Sequence, residues 1–100
     1  MNYSELRLLT HNLPPEIQLF YSNQQLSFPI TTLNADQHKK VIYFSNQGPT
    51  CCSQNALTIT DLFQQPTEWQ DYQIKVIFPK TQHQKRILGF KTAHNNLFFR

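Results

Sequence analysis

The chain runs through one folding pattern twice, and this repetition constrains its fold more than any other feature. Residues 2–45 read as a helix, a turn and three strands, and residues 58–100 read in the same order. Asn2 with Glu5 three residues on, and Thr58 with Asp61, have the residue types of a helix N-terminus. Tyr3, Leu6 and Leu13 recur 56 positions later as Ile59, Leu62 and Trp69. One inserted residue then moves the offset to 57, at which Ile17, Leu19, Tyr21, Ile30 and Val41 meet Ile74, Val76, Phe78, Ile87 and Phe98. Self-similarity at a fixed spacing marks a repeat architecture. Most matches are apolar for apolar, so duplication and two similar but unrelated patterns both fit.

A chain of 100 residues makes one domain. Halves of this size are too small to hold separate cores, so they must share one. The expected fold is α+β: two tandem α-β-β-β units, 2–45 and 58–100, joined by a linker at 46–57. The spacing predicts a helix over 3–12 with Tyr3, Leu6, Leu9 and Leu13 in its stripe, stopped at Leu13-Pro14-Pro15. Alternation predicts strands over 16–22, 26–33, 39–45, 72–79, 85–91 and 97–100, with a second helix over 58–65 ended by Pro66. Ser22–Gln25, Asn34–Gln37 and Lys80–Gln84 read as turns. One antiparallel sheet, or two small sheets packed together, would carry two helices on one face, with Leu6, Leu9, Leu62, Phe63 and Trp69 on the helix side of the core.

The net charge of +3 lies entirely in the second half. Arg7, Lys39 and Lys40 balance Glu5, Glu16 and Asp36, whereas no acid follows Asp71. Such asymmetry suits either an anionic partner or a solvated face. The first residues lack the basic and apolar runs of a secretory signal, and no apolar stretch approaches a membrane span, so a cytoplasmic protein without membrane contact is expected.

Chemistry-bearing motifs are sparse. Cys51 and Cys52 are adjacent, without the spacer or second pair of a zinc site, and read as ordinary linker thiols. His11, His38, His83 and His94 lack the i, i+4 partners of a metal-binding helix. The six carboxylates are scattered, and two of them suit helix starts. With two glycines, the chain has no phosphate-cradling loop or nucleophile elbow. No catalytic residue, metal or cofactor is expected.

The basic second half is the best remaining signal. If the predicted fourth and fifth strands pair, Lys75, Lys85 and Lys91 can share an open sheet face, with Arg86 nearby and Lys80 and Arg100 near its ends. A basic sheet face carrying aromatics binds single strands by stacking and phosphate contact. Lysines on exposed strands also guard against edge-to-edge aggregation.

Ser4-Glu5-Leu6, Leu13-Pro14-Pro15-Glu16-Ile17, Phe28-Pro29-Ile30-Thr31 and Lys40-Val41-Ile42 together resemble the opening of small bacterial and prophage proteins. Those begin with a helix, an LP-x-(D/E) turn and a meander of strands. The resemblance covers about residues 1–45 and transfers no site residue. It implies an accessory protein that binds another macromolecule, as inhibitors of host nucleases do, although a basic chain does not suit DNA mimicry.

Two functions are therefore expected. The first is a non-enzymatic protein that binds another protein through Phe20, Tyr43 and Phe99 on an open sheet face. The second is a nucleic-acid-binding module using Lys75, Lys80, Lys85, Arg86, Lys91 and Arg100. Homodimerisation through an edge strand is compatible with either.

Overall fold

The computed structural model describes residues 1–24, 27–46, 56–65, 67–78 and 81–100. Helix α1, Tyr3–Thr10, starts where Asn2 accepts a hydrogen bond from the Glu5 N–H at 2.8 Å. It buries Tyr3, Leu6 and Thr10. Leu9, expected in the stripe, is instead 56% exposed, and Leu8 is 70% exposed. A three-residue step falls about 60° short of a full helical turn, so Leu6-to-Leu9 walks off the face to which Thr10 returns. Helix α2, Ile59–Phe63, opens on a reciprocal capping box: the Thr58 N–H donates to Asp61 Oδ2 at 2.9 Å, and the Asp61 N–H donates to Thr58 Oγ1 at 3.4 Å.

Among the described residues, eight strands follow the two helix starts: β1 (Gln18–Ser22), β2 (Ser27–Pro29), β3 (Thr32–Asp36) and β4 (Val41–Ser45), then β5 (Gln73–Ile77), β6 (Gln84–Arg86), β7 (Phe90–Ala93) and β8 (Asn96–Phe99). They form two four-stranded sheets, ordered β2-β1-β8-β7 and β3-β4-β5-β6. Each sheet draws two strands from each half, and its central pair, β1–β8 or β4–β5, is parallel while the outer pairs are antiparallel. The fold is α+β with two helices, and the sheet is divided in two.

Strand boundaries differ from expectation for a physical reason. The predicted strand over 26–33 bends at Ile30 and Thr31 and changes sheets, becoming β2 and β3. The predicted strand over 85–91 does the same between β6 and β7. Each half therefore holds four strands in place of three. Asn34–Asp36, expected in a turn, belongs to β3, and Asp36 begins the turn by accepting from the N–H groups of His38 and Lys39 at 3.0 and 3.1 Å. Pro66, Lys80 and most of the 46–57 linker, including Cys51 and Cys52, lie outside the described residues.

The pairings of the two halves correspond residue by residue. Leu19 N–H donates to the Leu57 carbonyl and Ile74 N–H to that of Met1; Ile30 N–H donates to Leu19 and Ile87 N–H to Ile74. The shift is 55 residues for β1 to β5 (Gln18 to Gln73) and for β4 to β8 (Val41 to Asn96), and 57 for Ile30 to Ile87. The uniform strand offset of 57 is thereby corrected: Leu19 corresponds to Ile74, and Ile42, not Val41, sits where Leu97 does. Turn lengths cause the change. The β3–β4 turn spans 37–40, whereas β7 and β8 join through only His94 and Asn95, with left-handed φ of 53° and 62°.

One core lies between the sheets and the helices. Phe44 meets Phe99 across the sheets with ring centroids 5.2 Å apart, and Trp69 meets Tyr3 edge-on at 6.1 Å. The Tyr3 hydroxyl donates to the Leu62 carbonyl and so joins α1 to α2. Among the described residues no helix is long and apolar enough to cross a membrane.

Two buried phenols give opposite expectations. Tyr3→Phe leaves the Leu62 carbonyl without its donor and lowers stability by about 1–3 kcal/mol in urea unfolding at neutral pH. The buried Tyr21 hydroxyl has no partner among the described residues, so Tyr21→Phe is expected to raise stability by about 1 kcal/mol. Burial raises the Tyr3 pKa above 10.0, against a smaller opposing effect of Arg7. Above pH 10 the unfolded chain gives up this proton while the folded chain keeps it, so stability falls as pH rises. Tyr3→Phe removes that component of the alkaline loss.

Candidate functional site

The site grows out of strand phase. In β1, Leu19 and Tyr21 point into the core, leaving Gln18, Phe20 and Ser22 on the outer side. In β8, Leu97 and Phe99 are buried, and Asn96 and Phe98 are less so. Register then places Lys91 of β7, Phe98, Phe20 and Pro29 of β2 in one row across the outer face. Phe20 and Phe98 stack there, with centroids 5.4 Å apart and planes 27° apart. Arg100 continues the outward phase of Phe98. Its backbone is held opposite Gly89 by an Arg100 N–H bond to the Gly89 carbonyl at 3.0 Å and the reverse bond at 3.2 Å.

Beside this row is an open cleft of about 660 Å³, within the size range of ligand sites. Its walls are Lys91, Phe98 and Arg100 from the sheet face, Ser22, Asn23 and Gln24 from the end of β1, and Lys85 from β6. Three cations thus converge from three segments, and among the described residues no carboxylate side chain lines the cleft. Lys85 occupies the register position that Phe28 holds in the first half, opposite Val76 as Phe28 is opposite Tyr21. Phe28 is buried in the core, whereas Lys85 is exposed.

The other sequence-derived candidates are dispersed. Lys75 and Arg86 lie in a different row, Asn34-Tyr43-Lys75-Arg86, across the second sheet. They do not join Lys85 and Lys91 on one face, because the predicted fifth strand changes sheets between those two lysines. Lys80 is outside the described residues. Phe99 is fully buried against Phe44 and Phe90, so it is no open-face anchor. Phe20 and Tyr43 are on different sheets.

The residue that sequence reasoning missed is Phe98, which it matched with Val41 and did not name as a site candidate. The usable signal was phase: Asn96 and Arg100 share the side of Phe98, and Leu97 shares that of Phe99.

A smaller hollow beside α1 is lined by Arg7, Phe63 and His11 among others. Its aromatic surface is already covered, since the Arg7 guanidinium lies 5.4 Å from the Phe63 ring centroid and 5.9 Å from that of Tyr3. Among the described residues no group of three His, Cys, Asp or Glu side chains could hold a metal ion.

No protein-family model, curated protein or solved structure matches this chain.

Lys85, Lys91 and Arg100 are exposed and outside the core. Replacing each singly by Gln is expected to leave unfolding free energy within about 0.5 kcal/mol of the parent. Urea melts check this, and they show whether binding by these variants can be read without a folding correction.

Proposed function

We propose that this chain is a nucleic-acid-binding module whose outer β1–β8 face holds a phosphate backbone. The carrying observation is the convergence of Lys85, Lys91 and Arg100 on one cleft, with no carboxylate side chain lining it among the described residues. Cations brought together in this way repel one another, and a polyanion relieves that repulsion while releasing its own counterions. The Phe20–Phe98 stack on the same face adds an apolar surface of the kind that nucleobases use. The protein-interface reading is less well supported, because Phe20, Tyr43 and Phe99 do not form one patch. Its remaining support is the exposed Leu8 and Leu9 on α1 and the exposed Leu88 between β6 and β7.

Fluorescence anisotropy with labelled oligonucleotides between 50 and 200 mM salt tests the proposal. Three phosphate contacts give a log–log salt slope of about −2 for a single strand, or roughly a 16-fold loss of affinity over that range. Each of Lys85→Gln, Lys91→Gln and Arg100→Gln should make the slope shallower by about 0.7. No binding at 50 mM, or binding indifferent to salt and to all three substitutions, would defeat the proposal.

A further inference from the structure

Resting on the nucleic-acid reading, we infer that the bound strand is single and that one of its bases stacks on Phe98. Phe98 forms a wall of the cleft, and Phe20 stacks against it from the neighbouring strand without lining the cleft itself. The ring is therefore buttressed on one side and open to a ligand on another. Both aromatics come from the paired centre of a sheet, the kind of rigid element that fixes a side chain's direction.

The cations are arranged around that ring. Lys91 is the register neighbour of Phe98 across the sheet, and Arg100 lies two residues along the same face of the chain, about 7 Å further on. A base placed on the ring thus has positive charge beside it in two directions, across the sheet and along the strand, where a backbone enters and leaves. Ser22 and Gln24 supply a hydroxyl and a carboxamide to the same cleft, and both can bond to a base edge.

A duplex cannot use this arrangement. Its bases are stacked on one another and show only their edges in the grooves, so an aromatic wall inside a cleft finds no free π-face. Phosphate contact alone would make no use of the ring. The Phe98 wall and the flanking cations together fit an unpaired nucleotide within a strand.

The test uses three labelled ligands at 50 mM salt: an eight-residue deoxythymidine strand, an eight-residue abasic deoxyribose-phosphate strand, and a twelve-base-pair duplex. They are titrated with the parent protein, Phe98→Leu and Lys91→Gln. The parent should bind the thymidine strand about tenfold tighter than the abasic strand, within the roughly 5- to 150-fold expected of one base–aromatic stack, and tighter than the duplex per phosphate. Phe98→Leu should lose that preference and bind the abasic strand as before, whereas Lys91→Gln should weaken both strands alike. Should Phe98→Leu fail to fold, the thymidine-to-abasic ratio of the parent decides alone. Equal binding of all three ligands per phosphate would overturn the single-strand inference and leave the nucleic-acid reading standing. Binding of none of them would overturn both.

Discussion

Two parallel pairings, β1 with β8 and β4 with β5, are the seams on which the molecule depends. Each joins a strand of the first half to one of the second. Without them each half retains only two-stranded antiparallel pairs, which are marginal in water. The helices are exchanged in the same way. The first N–H groups of α1 bond to the carbonyls of Tyr72 and Gln70, and those of α2 to Ile17 and Pro15. Each half thereby satisfies donors that a helix start leaves unpaired in the other. The Phe44–Phe99 contact and the Tyr3–Leu62 bond then close the interior between halves.

Local chemistry was legible in the sequence, and long-range pairing was not. Asn2 and Thr58 announced both helices because capping needs only residues three apart. Alternation announced β1 and β5 because each buries one face, whereas β4, buried at every residue but Tyr43, shows as a short apolar run. The sheet change at Ile30 and Thr31 left no such mark, since a bent strand keeps its alternation through the bend. Parallel pairing has no turn to signal it, and its partners are far apart in the chain. The largest error was in the last strand. Taking 57 where it requires 55 matched Phe98 with Val41, an even difference that keeps the parity. The reversal came from reading Phe99 as outward, because a shift of one residue reverses every side chain on a strand. The cations of the cleft were visible as a charge asymmetry, but their division between two sheets depended on topology.

The cleft occupies positions at which two otherwise matching halves differ. Lys85 stands where the first half has Phe28, Lys91 where it has Asn34, Phe98 where it has Tyr43, and Arg100 where it has Ser45. Backbone hydrogen bonds are the same at these places, so the frame tolerates different side chains on either sheet. Charge and aromatic surface are thus gathered around one cleft, with Lys91, Phe98 and Arg100 on the outer phase of one sheet and Lys85 replacing the core residue Phe28 at the end of the other. Exposed rows can change their chemistry in this way because they contribute little to the packing that fixes the fold.

The pairing of Leu19 with Leu97 also fixes an order of events during synthesis. Strand β1 is made well before its central partner β8, because 78 residues separate Leu19 from Leu97. At about 5–20 residues per second, a ribosome needs roughly 4–16 s to cover the interval between those two leucines. Throughout that time Leu19, Tyr21 and the ring of Phe20 belong to a strand with one open edge. The β3-β4-β5-β6 sheet has all its strands once β6 is made, so in a nascent chain the β1 edge is the one left waiting, and the arrival of β8 closes it by joining β1–β2 to β7.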